Sequence, residues 1–312
     1  MTNINNIDTE FLKYINLDLI NKTTFDYIEP NMSTNLSNFT ISSPGIHHIT
    51  SVMGNKESQK PQALTPNNVI TIKEGIQATI VYHQIGYNAF SNETTQIIME
   101  KDANLEWICI QDYQPETIQF QSIQCELDTN SNLNIFTYTD SGQLIRNFYE
   151  INIRGIEANC NITGLSLLSK NTALYNQVIA NHHVGNATSN QLFKNILTDE
   201  SKAEYTGCVY VARNAQKTLS NQLNNNLVLS EKSTAYSRPQ LKILADDVKC
   251  NHGATIGQLE EEELFYLCSR GLSQSQSKQL LLNGFIHHAL DQVVLNEAKQ
   301  LLNPKISNFL ST

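Results

Sequence analysis

The sequence predicts a mainly β protein, a β-solenoid in preference to a β-sandwich, followed by a small helical unit. Three observations lead there. From Val69 to Cys250 apolar and polar residues alternate with a period of two, in more than a dozen short runs. Gly, Asn and Asp separate those runs, with no helical pattern between them. The chain is also polar and acidic: only 40% of its 312 residues are hydrophobic, 16% are charged and the net charge is -9. Stacked turns with much outer surface accommodate that composition better than one sandwich core does.

Taken in order, Asp8 to Leu19 carries Phe11, Leu12, Ile15, Leu17 and Leu19 and predicts a short helix capped by Asp8 or Thr9. Asn21 to Pro66 is rich in Asn, Ser, Thr and Pro and reads as an irregular approach with a short strand near Ile46 to Val52. Predicted strands then run over Val69–Thr71, Ala78–His83, Thr95–Met99, Leu105–Gln111, Ile118–Leu127, Leu133–Thr139 and Phe148–Ile153. They continue over Asn161–Leu168, Ala173–Ala180, Ser189–Leu197, Ala203–Ala212, Leu227–Leu229 and Gln240–Val248. Asparagine, roughly one residue in eight, suits tight corners because it tolerates left-handed backbone. No repeat of fixed length is visible.

After Cys250 the period changes. Glu260 to Glu263 opens a helix through Leu264–Cys268 that Gly271 ends, the four acids complementing the helix dipole. A second helix starts at Ser273 or Ser275 and presents Leu282, Ile286, Ala289 or Leu290, and Val293 on one face; Asn303–Pro304 ends it or sets off a last turn. The organisation is therefore an N-terminal region over 1–66, a β core over 67–256 and a helical unit over 257–312. About 55 residues cannot bury both faces alone, so the helical unit must dock on the strands, on a partner, or on both.

No basic tract neutralises phosphates, which argues against nucleic acid as a partner. No run approaches a membrane span, and Met1–Asn6 lacks the pattern of a signal segment, so the expected setting is soluble and cytoplasmic. Six cysteines (109, 125, 160, 208, 250 and 268) without CxxC spacing predict reduced thiols. Phosphate-binding loop, HExxH, GxSxG and GxGxxG patterns are absent.

The densest chemistry lies in Ala245–Thr255. In extended chain Cys250 and His252 project to one side about 6.6 to 7 Å apart, so a thiolate and an imidazole can face one metal or cluster. Two ligands do not complete a cluster site, which then needs another chain. The competing reading makes Cys250 a buried filler and His252 a turn residue. Asp246–Asp247 reads as a cation site or a solvated strand end, and His182–His183 as corner ligands or exposed turn residues. In the second helix, one ring of His287–His288 covers the apolar stripe and the other faces water. Cys208 points inward and Trp107 lies in the core.

The run Ser237-Arg-Pro-Gln-Leu-Lys-Ile-Leu-Ala-Asp-Asp-Val-Lys-Cys-Asn-His-Gly-Ala-Thr-Ile-Gly257, followed by Leu264-Phe-Tyr-Leu and Ser269-Arg-Gly271, closely resembles the SufB/SufD family of iron–sulfur cluster assembly proteins. Tyr205-Thr206-Gly207, Ala215–Thr218 and Asn224–Leu227 extend the resemblance over roughly Asn181 to Phe285. It implies a right-handed parallel β-helix with short helical regions at both ends. Within the family Lys249–Thr255 is similar to the SufD branch: SufB-like chains usually carry Glu before the His and a Cys near Asn224, and are longer.

The resemblance further implies a scaffold subunit, not an enzyme, that pairs with a SufB-like paralogue and, through the C-terminal helices, with the ABC-type ATPase SufC, where ATP hydrolysis resides. His252, then Cys250, become the candidate contacts to iron or a transient iron–sulfur cluster at the SufB–SufD interface, helping iron enter. No tightly bound cofactor is expected in the isolated chain, which can also pair with itself. The helical region before the strands is shorter than the family pattern, which bears on N-terminal contacts. Two other functions fit a β-solenoid: a carbohydrate-active enzyme using Asp246 and Asp247, and a purely structural interaction subunit.

Overall fold

A computed structural model describes residues 23–28, 38–58 and 60–311. The strands, numbered in chain order, form two parallel sheets wound as one solenoid. The first sheet runs β1 (Asp26–Tyr27), β4 (Gln62–Leu64), β7 (Ala89–Met99), β9 (Ile118–Leu127), β11 (Leu144–Ile153), β13 (Ala173–His182), β15 (Lys202–Val211) and β17 (Thr234–Ile243). Two more strands, β2 (Phe39–Ile41) and β5 (Asn67–Ile72), join it through β7. The second sheet runs β3 (Gly45–Met53), β6 (Gln77–Gly86), β8 (Asn104–Tyr113), β10 (Asn132–Thr139), β12 (Asn159–Leu168), β14 (Thr188–Leu197), β16 (Thr218–Val228) and β18 (Val248–Gly257). Solenoid, not sandwich, is thus the architecture: every strand pairs in parallel with the strand one turn away.

One turn varies in length, which is why no fixed repeat is legible. Asn134 and Asn161 stack at a separation of 27 residues, Ser189 and Ser220 at 31. The corners absorb the difference. Asp102, Asn130, Glu157, Asn186 and Lys217 all have φ between 55° and 60°, and they stack corner upon corner. Asn130 N donates to Ile156 O, and Asn186 N to Gln216 O. Asparagine serves a second purpose that the turn argument misses. Its amides also stack along the sheets, as in Asn190 to Asn161 to Asn134 (2.9 and 2.8 Å) and Asn181 to Asn152 (3.0 Å).

Inward residues build the core, including Trp107, Tyr82, Ile80, Ile97, Ile123 and Tyr149, all fully buried. The interior is also polar in places. Glu93, completely buried, accepts from Tyr82 Oη (2.7 Å), Gln84 Nε2 (2.8 Å), Asn68 Nδ2 (2.9 Å) and Thr95 Oγ1 (3.2 Å). Burial raises its pKa to about 7, against the lowering effect of those four donors. A raised carboxyl stabilises the fold fully below its unfolded value and loses that contribution as pH climbs through the folded one. Relative to Glu93→Gln, the wild type should therefore lose about 2.5 kcal/mol of stability between pH 5 and pH 8. Denaturant midpoints of the two proteins across that range check it, and parallel pH curves would refute it.

Several elements differ from expectation. The segment over 26–64, expected to be irregular apart from one strand, also contributes β1, β2 and β4, paired into the first sheet. The helix expected at Asp8–Leu19 lies outside the described residues. The strand expected at Gln240–Val248 splits: β17 ends at Ile243, the link carries Asp246 and Asp247, and β18 begins at Val248. Cys208 faces outward, half-buried, because the inward positions of β15 are the alternate ones, Gly207 and Val209.

Three helices follow. They are α1 (Glu261–Ser269), α2 (Gln274–Leu290) and α3 (Asn296–Ser311). Ser273 caps α2, accepting from Gln276 N while the Gln276 side chain accepts from Ser273 N. The second helix ends at Leu290 rather than at Asn303–Pro304, and Pro304 lies inside α3. Burial of Ala298, Leu302 and Ile306 offsets the hydrogen bond that proline removes. Leu282, Ile286, Ala289, Leu290 and Val293 dock on the outer face of the second sheet, against Val81, Ile108, Phe136, Leu165 and Ile196. Lys305 Nζ donates to Asp112 (2.9 Å) and Asp140 (3.3 Å), and Lys194 Nζ to Phe285 O (3.0 Å). His287 and His288 are both exposed, so neither ring covers the stripe.

Candidate functional site at the last turn

Cys250 and His252 lie on β18, the last strand of the second sheet. Their register settles which way they face. Cys250 aligns with Ser220 and His252 with Gln222, and both partners are buried inward positions of β16. The two side chains thus belong to the inner face of the solenoid, on the same side of the strand. They are accessible, Cys250 half-buried and His252 exposed, because no further turn stacks on β18. His252 is a strand residue and not a turn residue.

The facing strand of the same turn, β17, is also the end of its sheet. Pro239 sits within it, a residue that donates nothing to a ladder and suits an edge. Both terminal strands leave one row of backbone groups without a strand partner, and such edges pair readily with another chain. The turn ends as an inner mouth rimmed by Cys250 and His252.

Beneath each residue runs a hydrogen-bonded column along the solenoid axis. Under Cys250, Ser220 Oγ lies 2.9 Å from Ser189 Oγ, which lies 2.8 Å from His182 Nε2. Under His252, Gln222 Nε2 donates to Gln191 Oε1 (3.4 Å), which also accepts from Tyr205 Oη (2.6 Å). Burial raises the Cys250 thiol, with a hydrogen bond from the Ser220 backbone acting the other way. A protonated thiol must shed its proton to bind metal, so loading at this position releases a proton.

The remaining candidates separate. His182 is fully buried, and desolvation, with a smaller contribution from His183, holds it near pKa 4; it is an interior hydrogen-bonding residue, not an exposed corner. Asp246 and Asp247 are exposed in the link, where Lys217 N donates to Asp247 O (2.6 Å) and Asp247 N to Gln216 Oε1 (2.8 Å). Glu260 to Glu263 are solvated at the start of α1. All six cysteines are unpaired, and burial drives the thiols of Cys109 and Cys125 well up and that of Cys160 to about 12. Among the described residues no three His, Cys, Asp or Glu converge on a metal position, and no helix is long and apolar enough to cross a membrane. What sequence reasoning missed is the supporting set, Gln191, Gln222, Ser189 and Ser220. They are individually ordinary residues, and only the stacking of turns brings them under the pair.

The fold is a parallel β-solenoid with helices packed on the outer face of one sheet and a Cys-x-His strand in its last turn. The model of the family described as "SUF system FeS cluster assembly, SufBD core domain" matches residues 52–285, and the chain belongs to that family. It is similar to iron–sulfur cluster assembly protein SufD of Escherichia coli, 30% identical over 219 residues, covering 69% of this chain and 52% of the relative. An iron–sulfur cluster assembly SufBD family protein of Synechocystis is 30% identical over 259 residues (79% and 57%). The chloroplastic protein ABCI7 of Arabidopsis thaliana is 25% identical over 272 residues (85% and 57%). The chain thus spans about half the length of these curated relatives. Family membership and the likeness to proteins named SufD agree with the resemblance carried by Ser237–Gly271.

Proposed function

We propose that this chain is a non-catalytic scaffold subunit for iron–sulfur cluster assembly that pairs with a SufB-like paralogue and a SufC-like ATPase. The observation that carries the reading is the pair Cys250 and His252, inward-facing yet accessible on an edge strand that lacks its next neighbour. A paralogue docked on β17 and β18 completes the ligand set that two residues alone leave short. His252 then offers a neutral imidazole, and Cys250 a thiolate, to iron or a nascent cluster that binds transiently and leaves. The helix α1 buries none of its residues and presents Phe265 (75% exposed) and Tyr266 (57%) beside Glu260 to Glu263. That apolar patch with an acidic rim supports an ATPase contact there. Six unpaired thiols fit a reducing setting such as the cytoplasm.

Anaerobic size-exclusion of the chain mixed with its host's SufB-like and SufC-like proteins, with iron and sulfide measured on the eluted species, tests this. We expect a three-component complex, retained in His252→Ala but stripped of most of its iron and sulfide, with Cys250→Ala giving a smaller loss. Failure to associate would overturn the pairing, and an unchanged cluster content in both variants would overturn the ligand roles.

A further inference from the structure

Gln222 is a fully buried side chain whose amide nitrogen is committed and whose oxygen is not. Nε2 donates to Gln191 Oε1, which Tyr205 Oη also holds, while Oε1 is buried and has no hydrogen-bond partner. The surroundings are shaped to hold the amide this way. A β-carbon on Gly207 would stand 2.3 Å from Tyr205 Oη and 2.9 Å from Gln222 Nε2, so any larger residue there would displace these groups from where they stand. Tyr205 and Gly207, two residues apart in β15, thus shape the position of the Gln222 amide. An orphaned buried acceptor is costly unless something completes it.

One ladder step away, on the same inner face, stands His252, in register with Gln222. Adjacent strands lie about 4.8 Å apart, within reach of an imidazole N–H and an amide oxygen when the ring turns inward. A histidine that ligates metal through one ring nitrogen generally donates its other N–H to a carboxylate or carbonyl, which sets its tautomer and direction. From this geometry we infer that Gln222 is the positioning residue for His252. Its Oε1 accepts the N–H of the imidazole nitrogen that faces the solenoid, so that the opposite nitrogen, stripped of its proton, faces the open mouth and iron. The inference rests on the proposed ligand role of His252. Tyr205, Gln191 and Gly207 act through Gln222, holding its amide nitrogen toward Gln191 and leaving its oxygen without a partner in the turn below.

The test uses the full chain in complex with its host's SufB-like protein, with zinc(II) as a diamagnetic probe and only this chain's histidines labelled with nitrogen-15. In the wild type we expect zinc to shift the His252 signals and to bring out a slowly exchanging imidazole N–H. Gln222→Leu, matched in size but without an acceptor, should weaken zinc binding about 10- to 100-fold and abolish that N–H. Gln222→Glu, which keeps an acceptor, should restore both. A wild-type N–H that exchanges as fast as free imidazole overturns the positioning role without recourse to any variant. So does undiminished affinity in a folded Gln222→Leu while His252→Ala loses zinc, an outcome that leaves the ligand reading standing. Wild-type binding that His252→Ala does not reduce, or no binding at all, overturns both.

Discussion

Replacing Ile286 with aspartate is expected to release the helical unit from the solenoid while leaving the strands folded. Ile286 is completely buried between α2 and the outer face of the second sheet, where Ile108, Phe136 and Leu165 lie in the same apolar cluster. The substitution removes that packing and places a carboxylate where no charge is compensated, at a cost of about 4 kcal/mol or more. A solenoid turn contacts mainly its neighbours, so the penalty falls locally on α2 and α3. Hydrogen exchange should show the amides of Gln274–Leu290 and Asn296–Ser311 losing protection while β10 and β12 keep theirs. Helices that stay protected would show that Lys305 and Lys194 hold them without the apolar contact. α1 follows β18 directly and packs on α2, so if α1 carries the proposed ATPase contact, the same variant should weaken that contact in the mixed complex.

Gly155→Ala is expected to be the most damaging single methyl in the solenoid. A β-carbon there would meet the backbone nitrogen of Thr129 at 1.9 Å and the Asp128 carbonyl carbon at 2.2 Å, distances no side-chain rotation relieves. Those atoms belong to the preceding corner, and both Arg154 N and Gly155 N donate to Leu127 O there. Two stacked corners must separate to admit the methyl, at about 3 kcal/mol or more, with a fall in melting temperature of roughly 6 °C or more. Gly75→Ala is the matched control for open space, since nothing lies within 4 Å of its added carbon, though its φ of 69° adds a local backbone cost. If Gly155→Ala melts no lower than that control, the corner-stacking argument fails.

Much of this fold is legible in the order of the residues alone. The period of two depends on neighbouring residues, so most strands from Ala78 to Val211 fall where the alternation places them. The helix starts are equally local: Ser273 with Gln276 three residues on is a capping box in sequence and in space. The pairing of Cys250 and His252 on one face needs only extended backbone. Local reasoning fails at the end of the solenoid, where β17 and β18 have inward residues that no next turn covers, so burial no longer marks the alternation. It fails again at His182, which looks like half of a corner doublet and is an interior residue bonded to Ser189.

The class of strand, the helix that opens at Glu261, the family and the candidate pair are all carried by residues close together in the chain, and so the amino-acid order suffices for them; the strand before that helix runs on past Cys250 to Gly257. How the pair is supported depends instead on the folded stack. Ser189, Ser220 and Cys250 are separated by a full turn each, as are Gln191, Gln222 and His252, and neighbourhood along the axis follows from turns of unequal length stacking in register. The same stacking directs α2 and α3 to one outer face and leaves α1 and the last two strands uncovered among the described residues, because a solenoid buries its core turn by turn and its final described turn has nothing above it.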